Sequence, residues 1–258
     1  SWGIDYPASK EHIVYVWFDA LINYVSGIGY SIDDKKFMNY WPADVHMVGK
    51  DILRHHAVYW PIMLKAMGVP MPKTILAHGW WTMSGAKVSK SRGNTVDPVE
   101  LCKKYGVDAF RYFLLREVTL GLDGAFSEDL LAERYTTRLA NDIGNLWFRI
   151  VTMLQKYTDG KIPQYKYEPF RNEGINYHSE GANPFYALSH YMTICDPARA
   201  LNPIMNLVVL ANQKIEIEKP WQLAKDLAKK EKLSNVLGNL AEQVVHVGVM
   251  LMPFLPDT

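Results

Sequence analysis

From Leu131 to Leu154 apolar residues recur at intervals of three or four: Leu131, Tyr135, Leu139, Ile143, Leu146, Ile150 and Leu154. This spacing draws one apolar stripe along a helix of roughly 30 residues, and such a stripe must be buried against other elements. The same period governs nearly everything after Ser127. Further helices fit 185–195, 203–217, 221–230 and 233–252, with Pro197 and Pro203 breaking what would otherwise be one helix. Residues 159–184 are polar, contain Gly and Pro, and read as a connecting loop. The second half is expected to be an all-α bundle.

The first half follows a different rule. Residues 13–18 (Ile-Val-Tyr-Val-Trp-Phe) are β-branched and aromatic and predict a buried strand, with Asp19 capping a helix that continues through Tyr24. A second strand fits 45–48, stopped by Gly49. A helix runs from Asp51 to Met67 with Gly68 as its stop, and a third strand fits 74–77. Strands alternating with helices of this length predict a parallel α/β sheet. Residues 79–83 read as extended chain and 84–86 as a turn before a polar loop. Asp97 then caps a helix with Pro98 at its first position and Glu100 completing a capping box; Gly106 ends it, and another helix fits 108–117.

At 258 residues, with about 150 per typical domain, there is room for one large or two modest domains. A chain that is 48% hydrophobic and 21% charged is ordinarily globular, which excludes disordered and collagen-like classes. A net charge of +1 excludes a uniformly basic coat for nucleic acid and leaves room for a local basic patch. Cys102 and Cys195 fall short of the about four paired ligands of a structural zinc, so no metal site is expected in this chain. Free thiols point to a reducing compartment. No apolar run approaches the about 18 residues of a bilayer span, so no membrane partner is expected. The chain opens on Ser1-Trp2-Gly3 and closes on Leu255-Pro256-Asp257-Thr258, which reads as a piece of a longer polypeptide.

The strongest chemical signal is Lys87-Val88-Ser89-Lys90-Ser91-Arg92-Gly93-Asn94, with Gly85 before it. Three cations and two hydroxyls fall within six residues. A loop of this kind folds ammonium groups over a polyphosphate, although its spacing is not that of a Walker loop; a solvated basic loop is the structural alternative. Asp51 follows a strand and opens a helix, at the sheet edge where ligands bind in parallel α/β folds. Asn145 and Arg149, four apart, share a helix face, and Trp221 follows Pro220 at a helix start.

These residues, in order, resemble the class I aminoacyl-tRNA synthetases, and most specifically the methionyl-tRNA synthetase family. Lys87 to Ser91 is similar to that family's KMSKS loop, with Val88 where Met is usual. Tyr15-Val16-Trp17-Phe18-Asp19-Ala20, Gly49-Lys50-Asp51-Ile52, His56 with Trp60-Pro61, His78-Gly79, Tyr112-Leu114-Arg116, Asn145-Leu146 with Arg149, and Lys219-Pro220-Trp221 fall in family order. The resemblance spans essentially the whole chain. Leu21 stands where some members have Pro, and the family's HIGH motif is absent from this sequence.

The resemblance implies the second half of a Rossmann-type sheet (1–79), a segment carrying the lysine loop (80–126) and a helical anticodon-binding domain (127–258), with a further N-terminal half of the same protein as partner. It implies a methionine slot of Trp17, Ala20, Leu21, Tyr24, Ile52 and His56, with Trp60 behind it. A thioether suits aromatic walls and one or two polar atoms near sulfur, which Tyr24 and His56 are expected to supply as donors. It implies ATP contacts from Gly49, Asp51, His78, Gly79, Lys87, Val88 and Lys90, with Lys87 and Lys90 catalytic and Mg²⁺ accompanying the nucleotide. Asp51 would face either the substrate amino group or the ribose. Asn145, Arg149 and Trp221 would read an anticodon base of tRNA(Met). The implied reaction is methionine activation and transfer to tRNA in the cytoplasm. The rival readings are a class I synthetase for Leu, Ile, Val or Cys, and a tRNA-binding fragment without catalysis.

Overall fold

The computed structural model of the chain describes residues 3–9, 11–83, 86–87, 96–168 and 183–258, with Ala86 and Lys87 described through their backbone alone. Val88 and Lys90 lie outside the described residues. The chain divides into two compact units, Ser1–Trp80 with Gly121–Asp123, and Trp81–Leu120 with Gly124–Thr258.

In the first unit the strand expected over 13–18 is absent. Ile13 makes a single bridge to Asp5, and helix α1 (Val16–Ser26) begins three residues later. Burial explains the difference. Tyr15, Val16 and Phe18 are exposed, whereas Trp17, Leu21 and Val25, spaced by four, face the core. The stripe is helical, and Asp19 sits inside the first turn rather than at the cap. Helix α2 (Asp34–Tyr40) is capped by the Asp33 carboxylate, which accepts from the Lys36 N–H at 3.0 Å.

Strands β1 (Val45–Gly49) and β2 (Thr74–His78) form where expected and pair in parallel, in register from Val45 with Thr74 to Gly49 with His78. The helix expected between them is wound three ways: a 3-10 turn (Lys50–Ile52), a π-helical stretch (His55–Tyr59) and helix α3 (Trp60–Met67). Gly68, at φ 71°, stops α3 in the left-handed region. The core of this unit is Leu21, Val25, Trp41, Trp60, Leu64 and Val69.

In the second unit β3 (Trp81–Met83) lies between β4 (Ala86–Lys87), antiparallel, and β5 (Gly124–Ala125), parallel. Asp97 caps α4 (Pro98–Tyr105) by accepting from the Val99 N–H at 2.8 Å. The capping box does not close, because the Glu100 carboxylate is drawn to Lys103 at 2.7 Å. Then come α5 (Val107–Glu117), α6 (Glu128–Arg134), a π-helical stretch (Tyr135–Gly144) and α7 (Asn145–Thr158). Helices α8 (Pro184–Thr193), α9 (Pro197–Glu218), α10 (Pro220–Leu223) and α11 (Lys230–Leu251) complete the bundle.

The prolines act differently from expectation. Pro197 takes the first position of α9 behind the Asp196 cap, and Pro203 is carried inside one continuous helix. Burial on both sides holds it there: Leu201, Ile204, Met205 and Val208 are all in the core. The expected helix over 221–230 is reduced to α10 and a 3-10 turn (Leu227–Lys229).

The segment Gly121–Asp123 returns to the first unit through close backbone contact. A Cβ placed on Gly79 would lie 2.0 Å from the Leu122 carbonyl oxygen, so only glycine fits there. Asp123 accepts from the Trp80 N–H at 2.8 Å and from Lys50 Nζ at 2.6 and 2.7 Å. Gly79→Ala is expected to cost about 1–3 kcal/mol in denaturant unfolding through overpacking. Asp123→Asn should cost less, because its ion pair is partly exposed and screened by water.

Candidate functional site

The side chains expected to form the slot converge in the first unit. Trp17, Ala20, Leu21 and Tyr24 occupy one face of α1 at the i, i+3, i+4 and i+7 positions. Across from them the π-helical stretch, with its extra residue per turn, turns His56 inward until it is 1% exposed. The Tyr24 hydroxyl lies 2.9 Å from His56 Nε2, and His56 Nδ1 lies 3.0 Å from the Ile52 carbonyl oxygen. A carbonyl accepts only, so Nδ1 carries the hydrogen, and in the neutral ring Nε2 accepts from the tyrosine. Both donors expected to face a ligand are therefore engaged within the protein. Trp17 meets His56 edge-on at 5.9 Å between ring centres, and Trp60 lies 6.0 Å from Tyr24. Leu21 is sealed in the core, while Ala20 is exposed on the flank.

Three aromatic residues not anticipated from sequence belong to the same cluster. His55 stacks on Trp17 at 4.1 Å with 23° between planes, and the Tyr15 hydroxyl lies 3.2 Å from its Nε2. Trp41 meets Trp60 edge-on at 6.1 Å and donates its indole N–H to the Pro70 carbonyl at 2.8 Å. His46, on the inward face of β1, lies 4.5 Å from the Tyr24 ring centre. His46 Nε2, His55 Nδ1 and Trp60 Nε1 are buried without a hydrogen-bond partner among the described residues. The available signals were the alternation of β1, which points His46 inward, and the paired His55-His56 beside a helical Trp60.

Burial, then repulsion from His56, holds the His46 imidazole below its ordinary pKa. Its neighbours are the Tyr24, Trp41 and His56 rings. The neutral ring is favoured in the folded state, so the unfolded chain binds the extra proton as the pH falls through the ordinary histidine range near 6.5. Stability should fall through that range and level off below the folded pKa. His46→Phe is expected to flatten this slope in thermal unfolding scans from pH 7.5 to 5; an unchanged slope would show that His46 is not its source.

Gly49, Asp51, His78 and Gly79 gather at the carboxyl ends of β1 and β2. A Cβ on Gly49 would lie 2.6 Å from Asp51 Oδ1 and 3.9 Å from His78 Cε1. The Trp80 indole N–H reaches Asp51 Oδ1 at 3.5 Å, and Lys50 Nζ sits 4.4 Å from the centre of the Trp80 ring. His78 Nδ1 lies 2.8 Å from the Gly79 carbonyl. Bonding to Lys50 and to the Trp80 N–H holds the Asp123 carboxyl below the usual carboxylate range. The backbone of Lys87 lies in β4 of the second unit. Among the described residues no group of His, Cys, Asp and Glu has the arrangement to hold a metal ion, and no helix is long and apolar enough to cross a membrane.

Asn145 and Arg149 line a cleft of about 470 Å³ in the second unit, together with Asn141, Asp142, Val209, Asn212 and Gln213. The Asn212 amide donates to the Asp142 and Val208 carbonyls at 3.3 and 3.1 Å, leaving its own oxygen as an acceptor. Arg149 pairs with Glu216, and Arg138 with Asp142 at 3.0 Å. Trp221 is not among the cleft's lining residues; it stands partly exposed on α10, just after Lys219 in the left-handed conformation.

Residues 1–151 match the family model described as tRNA synthetases class I (M), and the chain belongs to that family. It is 47% identical over 258 residues to the methionine–tRNA ligase of Caldanaerobacter subterraneus subsp. tengcongensis, covering 100% of this chain and 40% of that protein. It is 45% identical over 260 residues to the methionine–tRNA ligase of Halalkalibacterium halodurans, covering 99% of this chain and 39% of that protein. The crystal structure of Mycobacterium tuberculosis methionyl-tRNA synthetase bound by methionyl-adenylate superposes with a TM-score of 0.83 at 36% identity, over 99% of this chain and 50% of that one. The chain thus spans about 40% of the length of the curated relatives it matches.

Proposed function

We propose that this chain is the part of a methionine–tRNA ligase that holds the methionine side chain, the lysine loop and the anticodon reader. The observation that carries this reading is the aromatic slot, in which Trp17 and Trp60 flank an internally hydrogen-bonded Tyr24–His56 pair. Such an aromatic lining suits an uncharged, polarisable thioether.

In the proposed reaction the methionine carboxylate attacks the α-phosphorus of ATP and pyrophosphate leaves; a hydroxyl of the terminal tRNA ribose then attacks the methionyl carbonyl of the adenylate, and AMP leaves as the ester forms. No side chain becomes a covalent nucleophile. The protein positions the reactants and stabilises charge. Gly49, Asp51, His78 and Gly79 would border the nucleotide at the sheet edge, and Lys87 and Lys90 would close on its phosphates. Mg²⁺ enters with ATP as part of that substrate. The exposed Val45 and Met47 on β1 support completion of the two-stranded parallel sheet by a further α/β segment, because parallel sheets are normally covered on both faces. A translation enzyme of this kind works in the cytoplasm.

In the complete enzyme, Lys90→Ala should lower ATP–pyrophosphate exchange at least tenfold while methionine affinity stays within about twofold, a split that isolates charge stabilisation. Equal losses in both would contradict the role given to Lys90. Exchange driven by leucine, isoleucine, valine or cysteine in preference to methionine would overturn the substrate assignment.

A further inference from the structure

Beside the amide-lined cleft stands an aromatic residue with no part in the reading above. Leu146, Ile150, Met153 and Leu154 define the buried face of α7. At about 100° per residue, Asn145 and Arg149 fall on one flank of that face and Trp147 on the other, while Phe148 points away from the core, about 60° beyond Asn145. Phe148 is 70% exposed and is not itself among the residues that line the cleft; it presents a large apolar ring to water about 60° round the helix from Asn145, which does line it.

The cleft limits what the ring serves. Its walls carry four amides, Asn141, Asn145, Asn212 and Gln213, and its charges are closed into the Arg149–Glu216 and Arg138–Asp142 pairs. A lining that is neutral overall and rich in both donors and acceptors matches the edge of an uncharged planar polar group better than a phosphate. A nucleobase has such an edge, and it also has two π-faces that stack on aromatic rings.

We propose that Phe148 is a stacking platform for the unpaired nucleobase adjacent to the one whose edge enters the cleft, so that cleft and ring together hold two successive bases of a single-stranded RNA loop. This rests on the anticodon reading given above and extends it to a residue outside the set that the family resemblance supplies. Stacking is indifferent to base identity, so Phe148 contributes affinity and register, while the amides contribute the choice of base.

The test is binding of the 258-residue chain to a 17-nucleotide RNA hairpin with a CAU-containing loop, by fluorescence anisotropy across a salt series. Phe148→Ser should weaken binding about tenfold without altering the slope of log affinity against log salt, since no phosphate contact is lost. Phe148→Tyr should bind within about twofold of the parent, and Trp147→Ser should leave binding unchanged. Arg149→Ala is the control for the cleft. If it weakens binding and Phe148→Ser does not, the platform is refuted and the anticodon reading stands. If the parent chain fails to bind the hairpin, both fall. Phe148 is exposed, so the serine variant should keep the parent's circular dichroism and melting temperature.

Discussion

The first unit depends on how a histidine is made tolerable inside an apolar cluster. Burying an imidazole with unpaired nitrogens costs free energy. For His56 the solution is local: the Ile52 carbonyl takes one nitrogen and the Tyr24 hydroxyl the other. The first bond requires the chain at residues 55–59 to be wound so that His56 points back over Ile52, and the π-helical turn does that. The second fixes α1 against this turn, since Tyr24 lies on the α1 face that also carries Trp17 and Leu21. One hydrogen-bonded pair therefore fixes the winding and the approach of two helices.

His46 shows the other way of handling the same difficulty. Its Nε2 finds no partner among the described residues, and the ring stays neutral because burial and His56 both oppose the extra proton. Neutral imidazoles and indoles packed edge to face give a wall that is polarisable but not ionic. As the proposed methionine slot, the cluster would select by shape and polarisability.

Legibility in the sequence followed the reach of each signal. β1, β2, the Asp97 cap and the helical character of the chain after Ser127 rest on local spacing, and they form as that spacing predicts, although several helix boundaries differ. The segment 13–18 was misread because composition and period disagreed: its residues are strand-like in type but helical in which of them are buried. Pro203 was misread because tertiary burial of α9 outweighs the local loss of a backbone hydrogen bond. Neither π-helical stretch leaves a mark in apolar spacing that separates it from an α-helix. Yet one carries His55 and His56, and the other supplies Asn141 and Asp142 to the cleft. Trp17, Tyr24, His56 and Trp60 were found through family resemblance, whereas His46, His55 and Trp41 join them through packing that a single sequence does not display.

The charge of the chain and the lining of the cleft bear on each other. A net charge of +1 supplies little general attraction to a polyanion. Binding RNA through phosphates alone needs many unpaired cations on one surface, and each loses force as salt rises. Around the cleft the arginines are already paired with carboxylates, so a phosphate would have to compete with Glu216 for Arg149 or with Asp142 for Arg138. A base edge faces no such competition at the amides of Asn141, Asn145 and Gln213. On the proposed reading, recognition at this surface would rest on hydrogen-bond geometry and stacking. Such recognition would favour one looped-out sequence over the bulk of RNA, the discrimination the proposed anticodon reading requires.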